Sequence, residues 1–110
     1  MELSIESVGL ISQYISPLDF PHINNIAHQI GSFRQYCIKA RKYLYSHVTP
    51  QYYLSHVVLL TFFVVQRIGR GRANIFYDEC QIIIDSEFSI FSQNRLESQI
   101  NQILHGKSSH

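Results

Sequence analysis

The residues best placed to do chemistry in this sequence are basic and aromatic side chains concentrated in its middle. Residues 20–77 contain seven Lys or Arg and no Asp or Glu. Basic side chains interleaved with aromatic rings are typical of surfaces that hold a phosphate backbone and stack bases. The pattern therefore predicts a binding face for an anionic partner, either nucleic acid or an acidic protein surface. The residues expected to form this face are Arg34, Lys39, Arg41, Lys42, Arg70, Arg72, Tyr36 and Tyr43.

The remaining charges have the opposite sign and leave a second interpretation open. Residues 1–19 carry three acids and no base, and residues 78–110 carry five acids and two bases. These acidic ends can lie against the basic middle and neutralise it, within one chain or between subunits. If they do not, we expect the bases of the long helix and the Gly-Arg-Gly-Arg turn at residues 69–72 to form one continuous exposed patch.

A further hypothesis rests on Arg41 and His47, which five residues separate near the end of a predicted helix. This spacing loosely resembles the signature of HEPN-type ribonucleases. The resemblance implies a helical bundle in which the Arg and His of two protomers meet at a dimer interface. There the His would act on a ribose hydroxyl and the Arg would stabilise the phosphate. Lys42 departs from the signature, because a polar Asn, Asp or His commonly follows the Arg in that family.

Common catalytic and metal-binding motifs are absent from the sequence. It contains no Cys-x-x-Cys, His-Glu-x-x-His, Gly-x-x-x-x-Gly-Lys or Gly-x-Ser-x-Gly, so zinc-site, P-loop and serine-hydrolase chemistry have no support. The histidines are too scattered for a ligand pair one helical turn apart, and His47 fits better as a partner for the helix C-terminal dipole. We therefore expect no metal, no cofactor and a non-enzymatic role.

Residues 21–48 are predicted to form the long helix around which the other elements pack. At 1.5 Å per residue it would run roughly 40 Å. Arg34, Lys39, Arg41 and Lys42 avoid its apolar seam, so they should project outward with Tyr36 and Tyr43. Gly31 is its weak point, a kink or a site of close packing. Steps of three and four define the seam, which consists of Ile23, Ile26, Ile30, Phe33, Cys37, Ala40, Leu44 and His47.

Helices are also predicted on both sides of this segment. Residues 3–15 show a broad apolar face, and the prolines in residues 16–21 make a connector. Thr49 and Pro50 form a strong helix start, and the third helix should end near residue 68. Its middle, residues 57–65, is apolar on every side, which predicts burial all round.

Two more helices follow the Gly-Arg-Gly-Arg turn. From residue 75 to residue 91, apolar residues recur at three and four, opposite a polar stripe. Asn94 to Glu97 resembles a capping box, followed by a narrow apolar stripe that includes Leu96 and Leu104. Gly106 should end the last helix.

These elements predict an all-α fold, a small bundle of four to five helices around a long central helix. Residues 1–104 would form a single helical domain and residues 105–110 a flexible C-terminal tail. The alternative is an α+β fold, with a short antiparallel sheet made by residues 55–67 and 75–91 against the long helix, because β-branched and aromatic residues are dense there.

Composition favours a protein with a partner. Charged residues make up 15% of the chain, which has seven Tyr, seven Phe and no Trp, so we expect a homo-oligomer or a subunit of a complex. The charge-free residues 49–66 fall short of the ~20 apolar residues that cross a bilayer, so no membrane span is expected. Two cysteines and an acidic N-terminus without a signal-peptide pattern predict reduced thiols and a cytoplasmic setting.

Taken together, the residues favour a small helical interaction module, an accessory protein that binds nucleic acid or a nucleoprotein complex through a central basic face. The first alternative is an immunity- or antitoxin-like inhibitor, or an adaptor, that binds one protein partner. The second alternative is the HEPN-type ribonuclease.

Overall fold

The computed structural model describes residue 26 and residues 28–105, and every regular element in them is helical. The helices are α1 (Ile30–His47), α2 (Pro50–Arg67), α3 (Arg70–Glu87) and α4 (Ile90–His105). The predicted all-α bundle is confirmed, with four helices in the part described. The alternative with strands at residues 55–67 and 75–91 is wrong, because both stretches lie in helices or helix ends. The predicted helix at 3–15, its connector and residues 106–110 lie outside the described residues, and His105 ends α4 rather than starting a tail.

The predicted continuous helix over residues 21–48 is wrong at its start. Gln29 has extended backbone angles, φ −104° and ψ 103°, and α1 begins at the next residue. Its 18 residues span about 27 Å. Ile26 packs against the core, but Ile30 is 52% exposed and His47 is exposed, so the predicted apolar seam is wrong at these two positions. The spacing of apolar side chains does not reveal that the helix is interrupted at Gln29.

Two-residue connectors join the helices, and each follows a local rule. Thr49 is extended and Pro50 opens α2, as predicted. Gly69 has φ +141°, a conformation that side chains with a Cβ rarely adopt. The chain therefore turns at residues 68–69, and Arg70 already belongs to α3. The prediction of a flexible turn over residues 69–72 is wrong, because one glycine is enough to make the break.

The start of α4 also differs from the prediction. Ser89 precedes the helix, and its Oγ accepts a hydrogen bond from the Ser92 N–H at 3.2 Å. This contact caps a helix that begins at Ile90. The predicted capping box at Asn94 is therefore wrong, since Asn94 already lies inside α4.

The helices alternate in direction, and α2 and α3 lie at the centre of the described bundle. Arg34 and Arg41 of α1 both reach Glu79 in the middle of α3. The ends of these two helices meet where Tyr45 and Phe88 line one cavity, so α1 and α3 run parallel. α2 runs antiparallel to them and packs on α3 and α4, whereas the consecutive α1 and α2 share little contact.

The core is built mainly from α2 with the inner faces of its neighbours. Val57, Leu60, Thr61 and Val64 are at most 1% exposed, and the other residues of 57–65 are buried or half-buried. The predicted burial is confirmed for six of these nine residues, whereas Phe62, Phe63 and Val65 are half-buried. None of the described helices combines the length and apolarity needed to cross a membrane.

Candidate functional site

Two of the predicted binding residues are tied to an acid of the same chain. Arg34 donates to one carboxylate oxygen of Glu79 at 3.2 Å, and Arg41 donates to the other at 3.1 Å. Arg41 also donates to the Glu79 backbone carbonyl at 3.3 Å. The side chains of Arg41 and Glu79 are only 12% and 13% exposed, whereas Arg34 is 46% exposed. Arg34 and Arg41 therefore agree with the second interpretation, in which acids of the same chain neutralise the basic residues.

Lys39 and Lys42 stand apart from this triad on the outer side of α1. Both are exposed, and their spacing of three places them on neighbouring turns of one helix face. Among the described residues, neither makes an ion pair with an acid. These lysines are therefore the accessible cations of α1, with the partly exposed Arg34 about one turn before them.

Arg70 and Arg72 lie in the first turn of α3, close to Arg67 at the end of α2. Arg70 and Arg67 are exposed, and the Arg67 guanidinium carbon lies 5.4 Å from the centroid of the Phe63 ring. Because α1 and α3 are parallel, this end of α3 lies toward the start of α1. Lys42 lies eight residues beyond Arg34, about 12 Å further along α1. The predicted bases therefore do not form one compact patch. They follow α1 over about 12 Å, and Arg70 and Arg72 lie on a different helix, α3.

The two tyrosines predicted to project outward do not do so equally. Tyr36 is 6% exposed and packs beside Phe33, with ring centroids 6.2 Å apart. It belongs to the core, and the prediction for it is wrong. The apolar face of α1 is broad enough to include both positions 36 and 37. Tyr43 is half-buried, and its ring stacks on His47 at 3.9 Å.

Arg41 and His47, the pair behind the ribonuclease resemblance, have separate partners. Arg41 is held by Glu79, and His47 Nδ1 donates to the Tyr43 carbonyl at 2.9 Å. Six helical positions separate them by about 9 Å along the axis and roughly 120° around it. Within one chain they do not converge on a common point. The described residues also hold no group of three side chains suited to a metal ion.

The two cysteines are buried and do not act as nucleophiles at neutral pH. Cys37 and Cys80 are free and buried, as expected for reduced cysteines. Burial, helped by the charge of Glu79, raises the pKa of Cys37 to about 12, and burial raises the pKa of Cys80 as well. Both are protonated at neutral pH, and a protonated thiol is a poor nucleophile and metal ligand.

Sequence reasoning missed Glu79 and two cavities. Glu79 adjoins Cys80 on the apolar face of α3, and Arg41 adjoins Ala40 on the apolar face of α1. Opposite charges at the edges of two apolar faces were the sequence signal for an ion pair between these helices. One cavity, of about 210 Å³, lies between α2 and α4, where Arg95 is its charged residue. The other, of about 280 Å³, lies where α1 and α3 end. No sequence pattern marks either cavity.

Comparison with protein-family models, with curated proteins and with solved structures gives no match.

Proposed function

We propose that this protein is a non-enzymatic helical interaction module that binds an anionic partner, nucleic acid or a nucleoprotein complex, through the outer side of α1. The observation that carries the proposal is the exposure of Lys39 and Lys42 on one helix face, with no ion-pair partner among the described acids. Arg70 is a further exposed cation toward the start of α1, whereas Arg34 is paired with Glu79.

The ion pairs of Glu79 support different roles for Arg41 and for the two exposed lysines. Arg41 is nearly buried against Glu79, so it stabilises the contact between α1 and α3. Lys39 and Lys42 have no such structural role, and an exposed lysine adds little to stability. A flexible ammonium group on a rigid helix is suited to a phosphate backbone, where charge neutralisation releases counterions and supplies the affinity.

The experiment is a binding titration with a fluorescently labelled single-stranded oligonucleotide, read by anisotropy at low salt. We expect the Lys39→Glu, Lys42→Glu double variant to bind at least about tenfold more weakly than the wild type, since two phosphate contacts are lost and repulsion replaces them. Unfolding in urea should show that the variant keeps its stability within about 0.5 kcal/mol, as expected for exposed positions.

Arg95→Glu provides the matched control. Arg95 is exposed on α4, beside the cavity between α2 and α4, and its reversal changes the net charge without touching α1. It is compared with the single variant Lys42→Glu, which changes the net charge by the same amount. Equal loss of affinity in these two single variants would show that net charge alone governs binding, and absence of binding by the wild type would contradict the proposal.

A specific observation also supports the expected assembly. Ile82, Ile90 and Phe91 are 58%, 69% and 72% exposed, and large exposed apolar side chains are a feature of protein interfaces. We propose that these residues of α3 and α4 contact a second copy or a partner subunit. Light scattering would test this, since Phe91→Ser should shift an oligomer toward monomer, whereas a wild-type monomer at high concentration would contradict it.

A further inference from the structure

A cavity lined by aromatic rings and one carboxylate lies at the end of α1 and α3. It has a volume of about 280 Å³, close to the lower limit for small-molecule pockets. The C-terminal ends of α1 and α3 and the N-terminal end of α2 enclose it. Its lining residues are Tyr45, Val48, Pro50, Tyr53, Glu87 and Phe88.

Three aromatic rings form a connected wall of this cavity. The Tyr53 ring stacks on Phe88, with centroids 5.9 Å apart and planes 14° apart. Tyr45 meets Tyr53 edge to face at 6.3 Å. Tyr53 is 1% exposed, so core packing fixes the middle ring. Rings held in this way attract a cation through their quadrupoles, most strongly when the cation is poorly hydrated.

Glu87 supplies the one charge among the lining residues. It is exposed and ends α3, whose last turn contains no base. Among the described residues it makes no ion pair. A carboxylate at the C-terminal end of a helix faces the negative end of the dipole, which is unfavourable without a nearby cation.

The helix ends around the cavity do not decide the sign of its charge. α1 and α3 present their carbonyl ends here, whereas α2 presents its amide end and α4 begins two residues after Phe88. The amide end of α2 is weakened because its first residue is Pro50, which has no N–H. The carboxylate of Glu87 is therefore the source of the negative charge at the rim.

We infer that this cavity binds an alkylated ammonium group, with Tyr45, Tyr53 and Phe88 as its aromatic walls and Glu87 as its counter-charge. The low hydration of a trimethylammonium group suits the rings, and its diffuse charge suits a carboxylate at the rim. The site lies at the end of α3 opposite Arg70, so it is independent of the proposed basic surface.

The test is a titration of the full chain with choline, followed by amide chemical shifts. We expect saturable shifts confined to the cavity. The neutral isostere of choline, in which a tert-butyl group replaces the trimethylammonium group, should bind at least about fivefold more weakly. Equal binding of the two compounds would show that the cavity does not recognise the positive charge, which would overturn the inference. The absence of saturable shifts would overturn it as well.

Substitutions with matched controls locate the site. Glu87→Gln and Tyr45→Ala should each weaken choline binding about fivefold. Asp85→Asn on the same helix and Tyr52→Ala on α2 change exposed residues that do not line the cavity, and they should bind as the wild type does. All four positions are exposed, and an unchanged far-UV spectrum will show that each variant is folded. Unaltered binding by both cavity variants would overturn the assignment.

A peptide containing trimethyl-lysine distinguishes two sources of the same chemistry. Tighter binding of the peptide than of choline would identify a modified protein side chain as the ligand. Equal binding would identify a free quaternary amine, and either result supports the cavity chemistry. Failure of both probes would overturn it.

Discussion

At the contact between α1 and α3, the carboxylate of Glu79 accepts hydrogen bonds from two arginines, and Glu79→Gln removes its charge with little change in shape. Arg41 donates to Glu79 at 3.1 Å with its side chain 12% exposed. Loss of a charge-assisted hydrogen bond from a nearly buried group costs about 1.5 to 3 kcal/mol. Arg34, at 3.2 Å and 46% exposed, adds about 0 to 1 kcal/mol.

The expected destabilisation is about 2 kcal/mol, since Arg41 keeps its bond to the Glu79 carbonyl. Urea unfolding measures this directly. In thermal unfolding, a domain of this size should lose about 8 to 16 °C in Tm, because each kcal/mol shifts Tm by about 4 to 8 °C.

Single substitutions of the two arginines separate their contributions. Arg41→Gln should cost nearly as much as Glu79→Gln, and Arg34→Gln should cost less than about 1 kcal/mol. A double-mutant cycle between positions 41 and 79 should show coupling between them. The reasoning is refuted if Glu79→Gln is within about 0.5 kcal/mol of the wild type, or if the two arginine variants are equally destabilised.

Three further predictions follow from local chemistry. Cys37 and Cys80 should resist alkylation in the native protein and react fully once it is unfolded, because burial raises both pKa values; rapid native alkylation would contradict this. Burial lowers the pKa of His56, so the folded state favours the neutral imidazole. The free energy of unfolding should therefore be unaffected by His56 above about pH 6.5, and it should fall as the pH drops from that value toward the folded-state pKa. Urea unfolding from pH 7.5 to 5.5 should therefore show a loss that His56→Gln reduces; the same pH profile in this variant would contradict it. Gly69→Ala should cost about 1 to 3 kcal/mol, since Gly69 has φ +141°, whereas Gly71→Ala has open space within 4 Å and should be neutral or slightly stabilising; equal stability of the two alanine variants would show that this backbone conformation carries no cost.

The helices were largely predictable because their signals are local. The three-and-four spacing located the buried residues Phe33, Cys37, Ala40 and Leu44, and Thr49 with Pro50 marked the start of α2. The errors fell at helix boundaries. The three-and-four spacing in the sequence runs through Gln29, although the helix begins only at Ile30 and Ile30 is 52% exposed. Gly69 alone makes the turn predicted for residues 69–72, because Arg70 already lies in α3.

The candidate site was less predictable because it depends on which helices become neighbours. The charge map located the bases, but only the parallel packing of α1 and α3 brings Arg34 and Arg41 to Glu79. The cavity between Tyr45 and Phe88 depends on the same arrangement. Arg34 and Arg41 lie 45 and 38 positions from Glu79. Residues so far apart carry no mutual sequence signal, so only the fold separates the bases that pair internally from the accessible ones.

The most direct test of the proposed function is the salt dependence of oligonucleotide binding. For a single strand, each neutralised phosphate contributes about −0.7 to the slope of log K against log salt concentration. We expect a steep negative slope for the wild type and a slope shallower by about 1.4 for the Lys39→Gln, Lys42→Gln double variant, since two contacts are lost. A wild-type slope near zero, or the same slope in both proteins, would contradict the assignment of an anionic partner to α1.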